Sequence, residues 1–294
     1  MFTEIDDFYQ SMRTRLEQAR RERSELDEIL AFYAKVLDIQ QEAQGETTIP
    51  EIELTEEHTK LKIEEGFPLI DREHFPVDRI SSEGLFRKLC QMSSAENPVL
   101  ARAGKILLEK IDRGDLDFTR LYGGILKNES KDTEKLSDDL EVPFPVLQAL
   151  AKLSLQPSLL AIAARVGKKT PMQNWHQGYC PVCGGLPSMA ALVDEEGKRE
   201  GLCSFCGYIW RLPRLLCPFC KTDKQEDLHY FYGEGEDNYR VYVCEQCKGY
   251  IKVVDTREGG DAKALAVEDI VTSHLDLVAE EEGYQRKAPR FWGI

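Results

Sequence analysis

Four Cys-x-x-Cys segments punctuate this sequence: CPVCGG at 180–185, CSFCGY at 203–208, CPFCKT at 217–222 and CEQCKG at 244–249. Eight of the nine cysteines fall into these pairs. An even cysteine count indicates disulfides in a small secreted protein, whereas a long chain without an export signal favours metal ligation. Four thiolates at about 2.3 Å satisfy the tetrahedral coordination of zinc or iron. The eight paired cysteines therefore predict two metal ions per chain.

The spacing between the pairs favours sequential pairing. Nineteen residues separate the first pair from the second and 23 separate the third from the fourth, whereas ten separate the second from the third. A four-cysteine ribbon typically has about 15–20 residues between its pairs. We expect the first ion to be held by Cys180, Cys183, Cys203 and Cys206, and the second by Cys217, Cys220, Cys244 and Cys247. Interleaved and nested pairings are the alternatives.

The metal can be zinc or iron. Raw affinity favours zinc over ferrous iron, which would make the two sites structural zinc ribbons. Rubredoxin-like iron uses the same cage of four cysteines, so the residues alone leave both open. Thiol–disulfide exchange would place a Cys-x-x-Cys at the start of a helix in a βαβ unit, and none of the four pairs has that context.

The sequence before the cysteines is typical of an irregular helical domain. No Pro or Gly occurs from Thr3 to Gln44, and good helix formers predominate there. Further helices are predicted at 82–92, 98–111, 118–127, 145–155 and 158–166. A polar break is expected over 128–139, and Gln156-Pro157 is expected to interrupt the last helical stretch.

The predicted fold class is α+β. Short β-prone runs at 230–232, 239–243 and 250–254 lie among the cysteines, and a helical pattern returns after Gly260. The expected domains are an irregular all-α domain at 1–172, two tandem rubredoxin-like or zinc-ribbon modules at 173–212 and 213–258, and a C-terminal helix and tail at 259–294 that packs back on the body.

Charge argues against nucleic acid as a partner. The chain of 294 residues carries 38 Lys and Arg against 52 Asp and Glu, a net charge of −14, which would repel a phosphate backbone. Residues 173–255 alone have a net charge of −3. The amino terminus is acidic, and the apolar stretch at 159–166 is far shorter than a bilayer span. We therefore expect a cytoplasmic protein with no membrane insertion.

No enzymatic signature is found, so we expect no catalytic residues and no enzyme. The five histidines are scattered, without a His-Glu-x-x-His pair or a nucleophile elbow. Cys90 stands alone in a helical run, where a buried small hydrophobic residue is expected.

The order of several segments resembles the FdhE family of formate dehydrogenase accessory proteins. They are the crossing segment Phe67-Pro-Leu-Ile-Asp71, the four cysteine pairs in their order, and the ending Glu280-Glu-Glu-Gly-Tyr-Gln-Arg286. The match is looser over residues 42–65. The resemblance implies a non-catalytic maturation factor that binds the catalytic subunit of formate dehydrogenase before assembly or export. It also implies that the eight paired cysteines bind metal, with rubredoxin-type iron associated with the family. An iron electron carrier that assists reductive activation of the dehydrogenase is the alternative.

Overall fold

The computed structural model describes residues 2–170 and 172–293. Its contacts divide the chain into two compact units. The cysteine-bearing unit comprises the residues up to Ala34, Leu54–Leu69 and Ala163–Phe291. The helical unit comprises Lys35–Glu53, Ile70–Ile162 and the residues from Trp292 onward. Each of these units combines distant stretches of sequence. The domain boundaries predicted along the sequence, at residues 172, 212 and 258, are a different kind of division and remain a proposal.

Ten α-helices lie in the described residues. They are α1 (Phe2–Glu22), α2 (Asp27–Glu46), α3 (Glu56–Glu65), α4 (Arg79–Ser93), α5 (Pro98–Arg113), α6 (Phe118–Lys127), α7 (Ser130–Leu140), α8 (Phe144–Lys169), α9 (Leu265–Val271) and α10 (Ser273–Glu281). Four of them begin at a side-chain cap: Thr55, Asp78, Asn97 and Asp117 each accept a hydrogen bond from a backbone N–H of the first turn.

One expectation for the helical stretches before α8 was wrong. The polar segment 128–139 forms α7 instead of a break, because Leu136 and Leu140 lie four residues apart and bury one face of a helix whose other positions are polar. The helical structure expected from Thr3 to Gln44 is confirmed, and it is divided at Arg23, which has non-helical backbone angles although no Pro or Gly is near.

Pro157 lies inside α8, although the sequence predicted that it would end a helix. A proline has no N–H, so the carbonyl of Leu153, one turn earlier, loses its intrahelical donor. The side-chain amide of Gln40 replaces that donor at 2.7 Å, and Gln40 itself is buried. This substitute hydrogen bond explains why the helix continues through the proline.

The continuous helix α8 is also long and apolar. By length and hydropathy alone it passes the test for a membrane span, with a mean hydropathy of 1.4 over 18 residues. However, 89% of that window is buried within the fold. Its apolar character is therefore that of a core helix.

One mixed sheet forms the centre of the cysteine-bearing unit. Its strands are β1 (Pro187–Val193), β2 (Lys198–Cys203), β3 (Ile209–Leu212), β4 (Leu228–Phe231), β5 (Tyr239–Cys244), β6 (Gly249–Asp255) and β7 (Gln285–Arg286). The order is β3-β2-β1-β6-β5-β4, with β7 pairing β6. Strands β1–β3 and β4–β6 are two antiparallel ribbons, and a parallel pairing of β1 with β6 joins them. The two modules predicted from the sequence thus share one sheet, and the α+β class is confirmed.

Buried charges fasten the C-terminal segment to this sheet. Lys252 of β6 lies 2.8 Å from Asp269 and 2.9 Å from Asp276, which belong to α9 and α10. Arg286 contacts the same two carboxylates at 2.5 and 2.9 Å, and Arg290 contacts Asp276 at 2.6 Å. The expected C-terminal helix is therefore two short helices held by ion pairs as well as by apolar contacts.

The first helix of the chain belongs to the same unit. Arg15 of α1 donates to Glu268 of α9 at 2.6 Å, and the Tyr239 hydroxyl donates to the same carboxylate at 2.8 Å. No local pattern in the sequence predicts that the amino-terminal helix lies beside the cysteine-bearing sheet.

Candidate metal centres

The first four sulfurs converge at one end of the β1–β2 hairpin. Cys180 and Cys183 lie in the turn before β1, whereas Cys203 ends β2 and Cys206 lies in the turn that follows. The Sγ atoms are 3.7 Å apart for Cys180–Cys206, 3.4 Å for Cys183–Cys203 and 3.5 Å for Cys183–Cys206. All four side chains are buried. The structure thus brings the first predicted ligand set together.

The second set is formed in the same way by the other ribbon. Cys217 and Cys220 precede β4, Cys244 ends β5, and Cys247 lies in the turn before β6. The Sγ separations are 3.7 Å for Cys217–Cys247 and 3.6 Å for Cys220–Cys244. Cys217 and Cys244 are buried, but Cys220 and Cys247 are partly exposed. The second cluster is therefore the more accessible of the two.

The four turns that carry the cysteines share one backbone form. The residue after the second cysteine has a positive φ in every case: 72° at Gly184, 74° at Gly207, 63° at Lys221 and 52° at Lys248. In the first three turns its N–H donates to the carbonyl of the first cysteine of the pair, at 2.9, 3.2 and 3.0 Å. Glycine adopts this conformation without steric cost. The two lysines adopt it as well, so the turn geometry prevails over the preference of the residue.

The sulfur separations fit a metal ion. A tetrahedral ion with metal–sulfur bonds of about 2.3 Å requires sulfurs about 3.8 Å apart, close to the 3.4–3.7 Å seen in both clusters. A disulfide would bring two sulfurs to about 2.05 Å, and all eight cysteines are free thiols. In each set, the four ligand atoms lie within 4.8 Å of one another. Both clusters can thus hold one ion apiece.

The surroundings of the first cluster suit thiolates. The backbone N–H of Gly185 donates to Cys183 Sγ and that of Phe205 to Cys203 Sγ, both at 3.4 Å. Such bonds favour the charged form of a ligand. Burial raises the pKa of the Cys180 thiol, and a bound cation would favour its thiolate form. A Cβ at Gly185 would lie 2.7 Å from Cys203 Sγ, which shows how closely the backbone surrounds the sulfurs.

The two clusters are mechanically linked within their unit. A Cβ at Gly178, two residues before Cys180, would lie 2.1 Å from the carbonyl oxygen of Pro218, which lies between the first two ligands of the second cluster. Arg199 of β2 donates to the carbonyl of Leu216, immediately before Cys217, at 2.8 Å. The first ribbon thus supports the loop that carries the second cluster.

The histidines take no part in either cluster. Among the described residues, the groups close enough to hold an ion are the two all-cysteine sets. His274 instead lies 2.6 Å from Glu236, and His74 lies 3.7 Å from Asp71. Cys90 is fully buried in α4, as expected, and burial raises the pKa of its thiol to about 12.

Two charged residues of the sheet, Arg199 and Lys252, were not predicted from the sequence to be buried, and they are only 3% and 1% exposed. The signal was present for Lys252, because a single lysine stands in the apolar run Tyr250–Val254. A lone charge in such a run indicates a buried partner of opposite charge. Arg199 follows Lys198 and precedes Glu200, a polar context that gives no such signal.

Comparison with protein families matches residues 215–292 to the model described as "FdhE, C-terminal domain". A "Protein FdhE homolog" from Aquifex aeolicus is 36% identical over 142 residues, which are 47% of this chain and 49% of that protein. The homologue from Stutzerimonas stutzeri is 34% identical over 117 residues, 38% of this chain and 37% of that protein. These two alignments thus span half or less of the relatives' length.

Two further matches extend over nearly the whole chain. A "Protein FdhE homolog" from Yersinia pestis (strain Pestoides F) is 25% identical over 295 residues, covering 98% of this chain and 88% of that protein. The crystal structure of the FdhE protein from Pseudomonas aeruginosa superposes with a TM-score of 0.70 at 20% identity. That superposition covers 97% of this chain and 95% of the other, so the two proteins share their fold.

Proposed function

We propose that this chain belongs to the FdhE family and is a non-catalytic accessory protein of formate dehydrogenase, because it is similar to FdhE proteins over nearly its whole length and its residues 215–292 match the FdhE C-terminal domain. In this proposal it binds the catalytic subunit of the dehydrogenase in the cytoplasm, before that subunit is assembled or exported. The family resemblance supports the partner, and the absence of a catalytic signature in the sequence is consistent with binding without turnover.

The observation that carries the proposal is the pair of four-cysteine clusters, one on each of the two ribbons of one continuous sheet. A four-thiolate site can contribute on the order of 10 kcal/mol to local folding, comparable to the whole net stability of a domain, about 5–15 kcal/mol. Two such sites would make the sheet a rigid platform whose shape a partner protein can recognise. The eight cysteines are proposed as the ligands, one ion to each set.

Iron and zinc both suit the proposed sites, and the accessory role needs no redox change. A colourless protein with two zinc ions and full affinity for the catalytic subunit would satisfy it. So would a red protein with two ferric ions.

A second candidate function is electron transfer by rubredoxin-like iron. The hydrogen bonds from Gly185 N–H and Phe205 N–H to sulfur favour it, because such bonds tune the potential of an iron–thiolate centre. The partly exposed Cys220 and Cys247 would give electrons a route to the surface. Anaerobically purified protein should then be coloured and bleached by dithionite. A colourless preparation containing two zinc ions would exclude this function.

The accessory role is tested by co-purification of the metal-loaded protein with the catalytic subunit. Cys180→Ser and Cys244→Ser each remove one ligand and should lower the metal content from two ions to one and abolish capture. Cys90→Ala, which changes a buried cysteine outside both clusters, should keep two ions and full capture. Full metal content and full affinity in both serine variants would contradict the platform.

A further inference from the structure

Arg199 of β2 is a buried cation without a carboxylate partner. Only 3% of it is exposed, and its guanidinium donates to the backbone carbonyls of Pro213 and Leu216. Among the described residues, no Asp or Glu lies within ion-pair distance of this group. The other buried cation of the sheet, Lys252, has two carboxylate partners. A buried charge is rarely retained without an opposite one, so Arg199 requires another source of negative charge.

The guanidinium of Arg199 lies beside the second cysteine cluster. Leu216, whose carbonyl accepts its hydrogen bond at 2.8 Å, immediately precedes Cys217. Arg199 and Cys217 line the same cavity of about 270 Å³, and none of the described residues around that cavity is Asp or Glu. Burial lowers the pKa of Arg199 to about 10, whereas negative charge on Cys217 acts to raise it. The Cys217 sulfur is therefore close enough to act electrostatically on the arginine.

A metal ion would give this cluster the negative charge that Arg199 needs. A divalent ion held by four thiolates carries two net negative charges. Cys217 and Cys244 are buried, so water and salt screen part of that charge poorly. The lysines that follow the two cysteine pairs, Lys221 and Lys248, are exposed, and Lys248 pairs with Glu245. Arg199 thus approaches the cluster from its buried side.

We propose that Arg199 is the buried counter-charge of the second metal–thiolate cluster. This inference rests on the proposed second metal site and assigns to it a charged residue of the other ribbon. The guanidinium lowers the cost of holding two negative charges away from water, and its hydrogen bonds position the backbone that leads to Cys217. The second cluster thus depends on β2, a strand of the first ribbon, for its charge balance.

Equilibrium competition with a chromogenic zinc chelator tests this role on the full, zinc-loaded chain. Arg199→Gln removes the charge and should weaken one of the two bound ions at least about tenfold. Arg199→Lys keeps the charge but changes the arrangement of donors, and it should hold both ions within about threefold of the unaltered chain. In Cys244→Ser, which retains only the first cluster, adding Arg199→Gln should change nothing. That result assigns the weakened ion to the second cluster.

The reduction potential of the iron-loaded protein separates the charge of Arg199 from its hydrogen bonds. Dithionite adds one electron to a ferric site, which changes the cluster from one net negative charge to two, and a nearby cation favours the second state. One of the two iron sites should therefore have a lower potential in Arg199→Gln and keep its potential in Arg199→Lys. A role confined to hydrogen bonding of the loop would not produce this contrast.

The matched control is Arg214→Gln, which removes the same charge from an exposed arginine of the same cavity. Because water screens that charge, this variant should keep both zinc affinities within about threefold. If Arg199→Gln does not fold, Arg199→Lys decides alone, since a retained affinity supports the role of charge and a tenfold loss contradicts it.

The inference is overturned if Arg199→Gln binds both ions as tightly as the unaltered chain. It is also overturned if the lysine and glutamine variants lose affinity equally, because the hydrogen bonds would then account for the effect. Either result leaves the two proposed metal sites intact. An unaltered chain that bound fewer than two ions would instead contradict the proposed sites, and this inference with them.

Discussion

The ammonium group of Lys252 donates to the carboxylate of Asp276 over 2.9 Å, with only 1% of the lysine side chain exposed. It also lies 2.8 Å from Asp269, and Arg286 and Arg290 complete the network. Three cations therefore surround two carboxylates. Burial lowers the pKa of Lys252 even beside two acids, so its charge depends on both of them. A buried charge without its partner costs several kcal/mol, which makes this network a determinant of how α9 and α10 are placed.

The excess of positive charge predicts an order of stabilities. Asp276→Asn would leave three cations against one carboxylate, and we expect it to lower the free energy of unfolding by about 3–5 kcal/mol. Lys252→Met leaves two cations against two carboxylates, so its cost should be lower, about 1–3 kcal/mol. That cost arises because carbonyl and carboxylate oxygens lose the lysine as a donor. Urea unfolding of the metal-loaded variants at neutral pH measures both. If Lys252→Met lowered the free energy of unfolding as much as Asp276→Asn, or more, the charge balance would not determine the stability of this network.

The same network predicts a dependence on pH through Asp269. Burial raises the pKa of this carboxyl, but the charges of Lys252, Arg286 and Arg290 outweigh it and lower the pKa to about 2. A carboxyl whose pKa is depressed in the folded state stabilises the fold above its unfolded pKa of about 3.9, and this contribution is lost as the pH falls towards 2. The contribution is about 2 kcal/mol.

Asp269→Asn isolates that contribution. The difference in unfolding free energy between the unaltered chain and this variant should be constant from pH 7 to pH 5 and should shrink between pH 4 and pH 3. Taking the difference between two metal-loaded proteins removes the effect of acid on the cysteine clusters, which both share. A difference that stays constant down to pH 3 would show that Asp269 is not the titrating group.

The sequence predicted those features that depend on short-range chemistry. The cysteine turns, the sequential grouping of their sulfurs and the helix that begins at Pro98 each follow from a few neighbouring residues. The continuity of α8 through Pro157 does not, because the donor that replaces its missing N–H comes from Gln40, more than a hundred residues away. The parallel pairing of β1 with β6 is likewise a long-range choice that no local pattern encodes.

The substitute hydrogen bond in α8 is testable by a double-mutant cycle. Gln40→Leu should lower stability by about 1–3 kcal/mol, because it leaves the buried Leu153 carbonyl without a donor. Pro157→Ala restores a backbone N–H one turn after Leu153, so Gln40→Leu should cost less in that background. Urea unfolding of the unaltered chain, the two single variants and the double variant gives the coupling free energy between Gln40 and Pro157. Additive effects would mean that Gln40 does not compensate for the proline.

Gly185 should be essential to the first cluster alone. A Cβ there would lie 2.7 Å from Cys203 Sγ and 3.3 Å from Cys183 Sγ, so Gly185→Ala displaces two of the four sulfurs. We expect elemental analysis to find one bound ion per chain in place of two. Gly84→Ala is the control, because its Cβ would meet open space in α4 and should stabilise the helix by up to about 1 kcal/mol. Two ions in the Gly185 variant would show that the sulfurs can move aside.

The difference in burial between the clusters predicts the order in which they lose metal. All four cysteines of the first are buried, whereas Cys220 and Cys247 of the second are partly exposed. A chelator must reach a ligand or wait for local opening, which is rarer in a buried site. With a chromogenic chelator in excess, release should be biphasic, with the second cluster faster by at least about tenfold. Cys180→Ser, which retains the second cluster, should show only the fast phase, and Cys244→Ser only the slow one. The opposite assignment would mean that exposure of the sulfurs does not control exchange.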